Sequence, residues 1–529
     1  MRKISSRYWV LLIFIFIILF YIGWDSKIYN FDGTVYALQL RVAATDYRIY
    51  PLYSPYHMLF LPIAWSFFKI FMALNIDIST ISFLQMFNTI LGVATLLLFY
   101  KFCIKRFKKY SAAIFASIIL AVSYVFWYMA HESETYMITL FFMVLTILFL
   151  FDYKPEKFTP MKSLILGFLF GLSVLGHITA ILMIFPIGYY IFKKHKIGIR
   201  EIASFMSSTI TIIAIPYIIY FLKSPYNTAE TYKLWLLQAL SYKDIFNVDV
   251  NFWSFSIGSV YQTILSTFNG IVTTFNYGKV NPTLLVTLRI ICGALILAAT
   301  FILIKNWKQR GNNESFLARW SLWWLLPLTI FYTFWGVEHF KFRILVLPPI
   351  VFLLTIGLFT GKTKKSLNLN RSIAFLLITF ILITNIFVSF IPAYYEENNP
   401  DLIKAFWINQ NTPFNSVIVI LGLENYGYEY GKVYIPYFSD RRPLILNWFI
   451  LKAENGVLAA RNIIERLRIT GNVIFVLSEV VDDRKGRELL LEKHPEIDEK
   501  DLENLFDSYE LVLWKKMDPS FSIYLLRKP

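Results

Sequence analysis

Carboxylates stand beside long apolar runs at two places in the chain, and charged groups next to a membrane are costly to bury unless they are used. One is Asp32, and the other is the pair Glu132 and Glu134. A carboxylate can take the proton of an attacking hydroxyl group or orient that group. These residues therefore predict the acceptor side of a group-transfer reaction.

A second set of candidates, made of histidines, a lysine and an arginine, also stands beside apolar runs and complements the carboxylates. Positively charged groups can hold a leaving phosphate, and the planar fork of arginine can bind two phosphate oxygens at once. The set predicts chemistry on a phosphate-linked substrate at a membrane surface. Its members are His57, His131, His177, His339, Lys341 and Arg343.

Each candidate also has a plainer interpretation. Asp32 precedes a predicted helix and suits the N-cap role, because its side chain can accept free backbone N–H groups. The turn at 131–134 is equally that of a solvated loop, and a lone histidine such as His177 is usually only a satisfied polar group. Lys341 and Arg343 suit snorkelling toward the interface.

The composition indicates a membrane protein. Of 529 residues, 57% are hydrophobic and only 16% are charged, against roughly 25% charged in a soluble domain. The net charge of +16 comes from Lys and Arg clustered between apolar runs, which is the positive-inside pattern. This distribution argues against nucleic acid as a partner and favours contact with anionic lipid.

Length and charge together predict about eleven membrane spans, since each needs about 18 apolar residues or more. With the N-terminus in the cytoplasm, an odd number of spans places the C-terminus outside. Residues 56–74 are apolar too, but Lys69 would cost about 2.5 kcal/mol or more at mid-membrane. We therefore interpret 56–74 as a helix at the outer interface. The predicted spans are 8–24, 79–100, 110–128, 136–152, 163–176, 178–192, 200–222, 283–305, 317–335, 344–360 and 371–392.

The tail after residue 392 changes in composition and predicts a small α/β domain, because apolar runs with β character alternate with helical patterns. The predicted domains are a transmembrane part, 1–392, and an extracytoplasmic part, 393–529. The predicted strands are Ser416–Leu423, Lys432–Phe438, Asn472–Leu477, Tyr509–Trp514 and Phe521–Leu526. The predicted helices are Gly456–Arg468, Asp483–Lys493 and Asp498–Phe506.

Several motifs resemble the GT-C superfamily of membrane glycosyltransferases, and most closely the protein O-mannosyltransferase-related family formerly catalogued as a domain of unknown function. That family has an acidic residue after the first helix, a histidine–proline stretch, a Phe-Trp…Ala…Glu-x-Tyr motif and a Gly-Leu…His motif. The histidine–proline order departs from the family, because Pro55 precedes His57. The matching residues are Asp32, His57, Phe126, Trp127, Ala130, Glu134, Tyr136, Gly171, Leu172 and His177.

The resemblance implies a mainly α, polytopic helical bundle that transfers one sugar from a polyprenyl-phosphate donor to a protein, lipid or glycan acceptor, with inversion the usual outcome. Asp32 would be the general base or orient the acceptor, and Glu134 would be the second acidic site with Glu132 as its competitor. Arg343 and Lys341 would hold the donor phosphate. No cofactor is certain from the resemblance, which leaves room for a divalent metal.

In the same resemblance, histidines would serve substrate binding. His339 would assist with the donor phosphate, and His57 would line the acceptor or donor cleft. His131 and His177 are the further candidates for this role.

Two other classes of protein compete with a glycosyltransferase. A transporter or flippase of a lipid-linked saccharide would carry ionisable groups near the midplane and internal repeats, whereas the candidates here gather at one predicted face. A polysaccharide polymerase or ligase would use the same lipid carriers, but it does not predict the Phe-Trp…Glu-x-Tyr motif.

Overall fold

Helices occupy the apolar runs of this chain wherever the computed structural model describes them. Most of the predicted first span lies outside the described residues. The structure describes all residues except 1–20, 22–25, 47–51, 153–158, 195–197, 224–227, 229–256, 278, 308–310, 336–338, 360–363, 424–426, 449–455, 483, 494–499, 501–503, 519–520 and 529.

Contacts divide the chain into two compact units. The first contains residues 1–26 and 39–394, and the second contains residues 27–38 and 395–529. The predicted assignment of roles to 1–392 and 393–529 stays a prediction. The helices up to residue 393 are α1 (Phe31–Asp46), α2 (Phe60–Ala73), α3 (Thr80–Phe107), α4 (Tyr110–Val122), α5 (Tyr124–His131), α6 (Tyr136–Asp152), α7 (Pro160–Gly176), α8 (Ile184–Lys194), α9 (Ile199–Lys223), α10 (Ile257–Ile271), α11 (Pro282–Lys305), α12 (Asn312–Phe334), α13 (Leu347–Phe359) and α14 (Lys364–Asn385, continued by a π-helical turn and Ile391–Ala393).

Fewer helices than predicted are long and apolar enough to cross a membrane alone. Within the described residues these are α3, α9, α11 and the run Asn368–Ala393, and α4 with α5 makes a fifth if the pair, bent by 60°, is one span. Other apolar runs are divided by 3₁₀ turns at Ile178–Met183 and Phe340–Leu345. The chain therefore has the helices of an integral membrane protein, but a count of eleven spans is not confirmed.

The helices of the first unit separate two sets of polar groups. Lys105 forms an ion pair of 2.7 Å with Asp152 at the end of α6, and Lys109 donates to the carbonyl of Phe359 at the end of α13. Glu134 precedes the start of α6, so its Cα lies about 25 Å from that of Asp152 at about 1.5 Å per residue. The acidic candidate and the basic segment thus lie at opposite ends of the same helix.

Small residues allow α7 to approach its neighbours closely. A Cβ at Gly167 would collide with the carbonyl oxygen of Phe205 on α9, and one at Gly176 would lie 2.5 Å from the Thr139 hydroxyl on α6. Close approach at small residues is a common means of packing membrane helices. The glycine pattern around the Gly-Leu…His motif therefore has a structural cause.

The second unit contains a five-stranded sheet in the order β2-β1-β3-β5-β4. The strands are β1 (Ser416–Ile420), β2 (Arg442–Ile445), β3 (Val473–Leu477), β4 (Glu510–Asp518) and β5 (Phe521–Arg527). The first three are parallel, and β5 is antiparallel to both β3 and β4. The remaining helices are α15 (Pro400–Asn411), α16 (Gly431–Tyr434), α17 (Gly456–Ile469), α18 (Ser478–Val481) and α19 (Arg484–Lys493).

One predicted strand is wrong. Residues 432–438 form α16 and a π-helical turn, Ile435–Ser439. Pro436 lacks the N–H group that a strand ladder needs, and helical spacing lets the rings of Tyr434 and Phe438 meet at 5.1 Å. The strand forms one segment later as β2, and α15 was not predicted. Part of the predicted helix 498–506 lies outside the described residues. Within the described part, Asn504–Phe506 form a 3₁₀ turn.

Candidate active site

The acidic segment between α5 and α6 is held by polar side chains of α3. The side-chain amide of Asn88 donates to the carbonyl oxygens of Glu132 and Glu134, each at 2.6 Å. The Thr89 hydroxyl donates to the carbonyl of Ala130 at 2.9 Å. Since Asn88 is fully buried, these bonds are shielded from water and fix the backbone that carries both carboxylates.

A buried ion pair joins this segment to a distant part of the chain. The Lys341 ammonium lies 3.2 Å from Oε1 of Glu134, whose side chain is only 2% exposed, while that of Lys341 is 20% exposed. A carboxylate removed from water is destabilised unless an opposite charge compensates it. Lys341 therefore supplies the charge that allows Glu134 to be buried, and it remains the more accessible partner.

Two histidines and a tyrosine pack together next to Glu134. The ring of Tyr136 stacks on that of His177 with centroids 4.6 Å apart, and the ring of His57 lies 4.9 Å from that of His177. The Thr135 hydroxyl is 3.2 Å from Nδ1 of His57, and the Thr179 hydroxyl is 2.7 Å from Nδ1 of His177. The structure thus unites His57 and His177, which are far apart in sequence, with the Glu-x-Tyr motif.

Arg343 lies deeper than Lys341. It is 1% exposed, its Nε donates to the Ser266 hydroxyl at 2.9 Å, and its guanidinium lies 4.9 Å from the centre of the Tyr332 ring. The Tyr332 hydroxyl in turn donates to Thr179 at 3.3 Å. Arg343 therefore belongs to the same polar layer as His177, but Lys341 is the cation that a ligand reaches more easily.

The other candidates are placed differently. His131 is 2% exposed, and its two ring nitrogens lie 2.8 Å and 2.9 Å from the carbonyls of Trp127 and Tyr21, which favours a structural role. His339 is exposed, with its ring 5.4 Å from that of Phe342.

Asp32 lies in the second unit, in the first turn of α1. The N-cap interpretation does not hold for it, because Oδ1 of Asn30 accepts the N–H of Gly33 at 2.6 Å. A carboxylate in the first turn is still favoured by the helix dipole.

No sequence pattern pointed to some of the residues that build this site. Tyr332 and Ser266 lie in stretches with no motif around them, and Thr179 lies two residues beyond the Gly-Leu…His motif. Asn88 had a usable signal, because an amide inside a long apolar helix is costly in lipid unless it has partners. Among the described residues, no group of three or more His, Cys, Asp or Glu side chains is placed to hold a metal ion.

Comparison with solved structures shows what this architecture resembles. ArnT from Cupriavidus metallidurans, solved bound to undecaprenyl phosphate, matches with a TM-score of 0.61 and 10% identity over 98% of both chains. The Archaeoglobus fulgidus oligosaccharyltransferase, solved with a tethered acceptor peptide, matches with a TM-score of 0.51 and 14% identity over 98% of this chain and 74% of that one. The predicted GT-C resemblance is confirmed.

A family model adds a match in sequence. Residues 50–199 match the family described as protein O-mannosyl-transferase TMEM260 N-terminal domain. The matched range contains His57, Glu132, Glu134 and His177. Curated protein sequences give no significant match. The family match covers less than a third of the chain, and the solved structures share its fold.

Proposed function

We propose that this GT-C protein transfers a single sugar from a polyprenyl-phosphate donor to an acceptor hydroxyl at the outer face of the membrane. The observation that carries the proposal is the Glu134–Lys341 ion pair. It brings a carboxylate from the family-matched segment together with a cation that is suited to a phosphate. The paired groups supply what the acceptor and the leaving group each require.

The donor side is supported by an apolar cleft whose lining includes Trp335. The cleft has a volume of about 810 Å³ and runs along α12 to Trp335. The Trp335 ring stacks on Phe342 at 4.3 Å, and Phe342 is the neighbour of Lys341. A polyprenyl chain in the cleft would place its phosphate near Lys341, and undecaprenyl phosphate is the ligand bound in the similar ArnT structure.

In the proposed reaction, the acceptor oxygen forms a bond to the anomeric carbon while the bond from that carbon to the phosphate oxygen breaks. The proton of the acceptor passes to a carboxylate, for which Asp32 is the first candidate and Glu134 the second, with Glu132 as the competitor of Glu134. Polyprenyl phosphate leaves with its negative charge held by Lys341, with Arg343 and His339 in support. His57 and His177 would line the cleft, and His131 is the weakest candidate for contact with substrate.

The test is sugar transfer by the purified full chain in lipid nanodiscs, given a panel of radiolabelled polyprenyl-phosphate sugars and membrane-extract acceptors. We expect the wild type to consume at least one donor, and Asp32→Asn, Glu134→Gln and Lys341→Met to lose at least about a hundredfold, in the range of a lost acid–base group. Asp152→Asn, which alters an ion pair at the other end of α6, is the matched control. Donor consumption unchanged in Asp32→Asn and Glu134→Gln would refute the assigned roles, and no consumption by the wild type would refute the function.

A further inference from the structure

The sheet of the second unit has the strand order that creates a binding crevice in open α/β folds. The chain passes from β1 to β2 on one side, and then crosses to β3 on the other side of β1. Ligands of such sheets bind outside the carboxyl ends of the strands at this change of direction. The loops after β1 and β3 therefore lie where a ligand of such a sheet would bind.

The Glu479 carboxylate occupies the place at which such a crevice would bind an anionic ligand. Glu479, just after β3, accepts the backbone N–H of Leu421 at 3.0 Å and that of Tyr428 at 2.5 Å. Gly427 has a φ of +62°, and a Cβ there would collide with the Glu479 carboxylate. A phosphate or nucleotide would have to displace Glu479, so an anionic ligand is disfavoured.

A cavity of about 360 Å³ is lined by Val480, the chain neighbour of Glu479, and by Leu421, whose N–H group Glu479 accepts. Its volume is within the usual range of about 300–1,000 Å³ for small-molecule sites. Apolar residues within three positions of the ends of the parallel strands close one side of it, with exposures of 1% for Leu421, 0% for Leu446 and 7% for Val480. Because these side chains show almost no surface, a ligand would chiefly meet the polar side, formed by Arg487 and Asp507.

The segment that follows Asp507 is bonded to α17. The Tyr509 hydroxyl donates to Glu465 at 2.5 Å, and the same carboxylate accepts two bonds from Arg468. Burial and the Glu465 carboxylate raise the pKa of Tyr509 to about 12, so the hydroxyl remains a donor at neutral pH. Arg461 also bonds the Ser508 hydroxyl. Asp507 therefore directly precedes residues that hydrogen bonds hold against α17.

We propose that this cavity binds a neutral saccharide unit. The guanidinium of Arg487 and the carboxylate of Asp507 balance in charge, and sugar hydroxyls can accept from the first and donate to the second. The rings of Phe506 and Tyr509, which also line the cavity, offer apolar surface to a sugar ring. The proposal does not depend on the transfer reaction, because binding here needs none of the residues around Glu134.

The test measures binding of methyl α-mannoside, N-acetylglucosamine and cellobiose to the full chain in nanodiscs by saturation-transfer NMR and calorimetry. We expect at least one saccharide to bind. Arg487→Ala and the size-conserving Asp507→Asn should each raise its Kd at least about tenfold, as expected for a lost bond to a charged group. Arg484→Ala is the matched control, since Arg484 lies on the same helix, is 84% exposed and pairs with Glu488.

Three outcomes would overturn the proposal. They are no binding of any saccharide, equal binding by wild type and both cavity variants, and binding of glycyl-leucine in place of the saccharides, which would make the cavity a peptide site. Lys341→Met separates the two sites, because it should abolish sugar transfer while leaving this binding intact. Thermal unfolding of each variant shows whether a loss of binding reflects a loss of folding.

Discussion

The side chains of Glu134 and Lys341 depend on each other energetically. Breaking a buried ion pair by removing one partner usually costs about 3–5 kcal/mol, because the other charge is left without compensation, whereas removing both partners costs less. The partial exposure of Lys341 places the expected cost at the lower end of this range.

Lys341→Met should therefore lower the stability of the protein by about 3 kcal/mol, and Glu134→Gln combined with Lys341→Met should recover part of that loss. Thermal unfolding of the two single variants and the double variant in the same detergent measures the coupling. Additive losses would show that the two side chains do not interact in the membrane.

Asn88 influences the two carboxylates through the backbone that carries them. Asn88→Leu removes both donors to the carbonyls of Glu132 and Glu134, so the carboxylates should lose their fixed placement. We expect kcat for sugar transfer to fall about tenfold or more, because a misplacement of about 1 Å can cost a hundredfold, while KM for the donor changes little.

Thr95→Val is the matched control for Asn88→Leu. Thr95 lies two turns further along α3 and bonds only to the backbone of its own helix, at Leu91. Equal losses of kcat in the two variants would mean that α3 tolerates no substitution, and would remove the argument for a specific positioning role of Asn88.

At the scale of elements, glycines allow the close approach of α7 to α9, and Gly167 makes the tightest of these contacts. Gly167→Ala places a methyl group against the carbonyl of Phe205, and overpacking of this kind costs about 1–3 kcal/mol. Gly188→Ala on α8 is the control, because the nearest atom there would be 3.9 Å away. Scanning calorimetry should show a lower Tm for Gly167→Ala only; an unchanged Tm would mean that the helices separate at no cost.

Element prediction succeeded where a local pattern was sufficient. The β-branched runs that became β1 and β3, and the amphipathic run that became α17, are visible in a window of a few residues. The run at 432–438 misled because it has strand composition, while its proline and the contact of the Phe438 ring with Phe406 on α15, at 6.0 Å, favour a helix. That ring contact is tertiary, so no local pattern contains it.

At the scale of the whole molecule, the predicted orientation places Lys101 in the cytoplasm and the second unit outside. In intact cells, a membrane-impermeant thiol reagent should label Glu510→Cys but label Lys101→Cys only after the cells are lysed. Background labelling should be low, because Cys103 and Cys292 are both buried. Labelling of Lys101→Cys in intact cells would reverse the predicted sidedness.

The amino-acid sequence alone is sufficient to identify a membrane protein with a small α/β tail and to indicate which family its motifs resemble. These properties depend on the composition of short windows: the length of an apolar run, the clustering of Lys and Arg, and the order of a few motif residues. Each of them acts through contact with solvent or lipid, so it can be read without knowing which residues become neighbours.

Which candidates lie together becomes clear only from the tertiary structure. Glu134 and Lys341 are separated by 207 residues, and the ring contacts of His57, Tyr136 and His177 likewise cross several helices. Such pairings depend on how helices pack, through glycines such as Gly176 and buried amides such as Asn88. In the ion pair, the attraction between the two charges offsets the cost of removing them from water, while the packed rings gain from being buried together. Both effects exist only once the chain has folded.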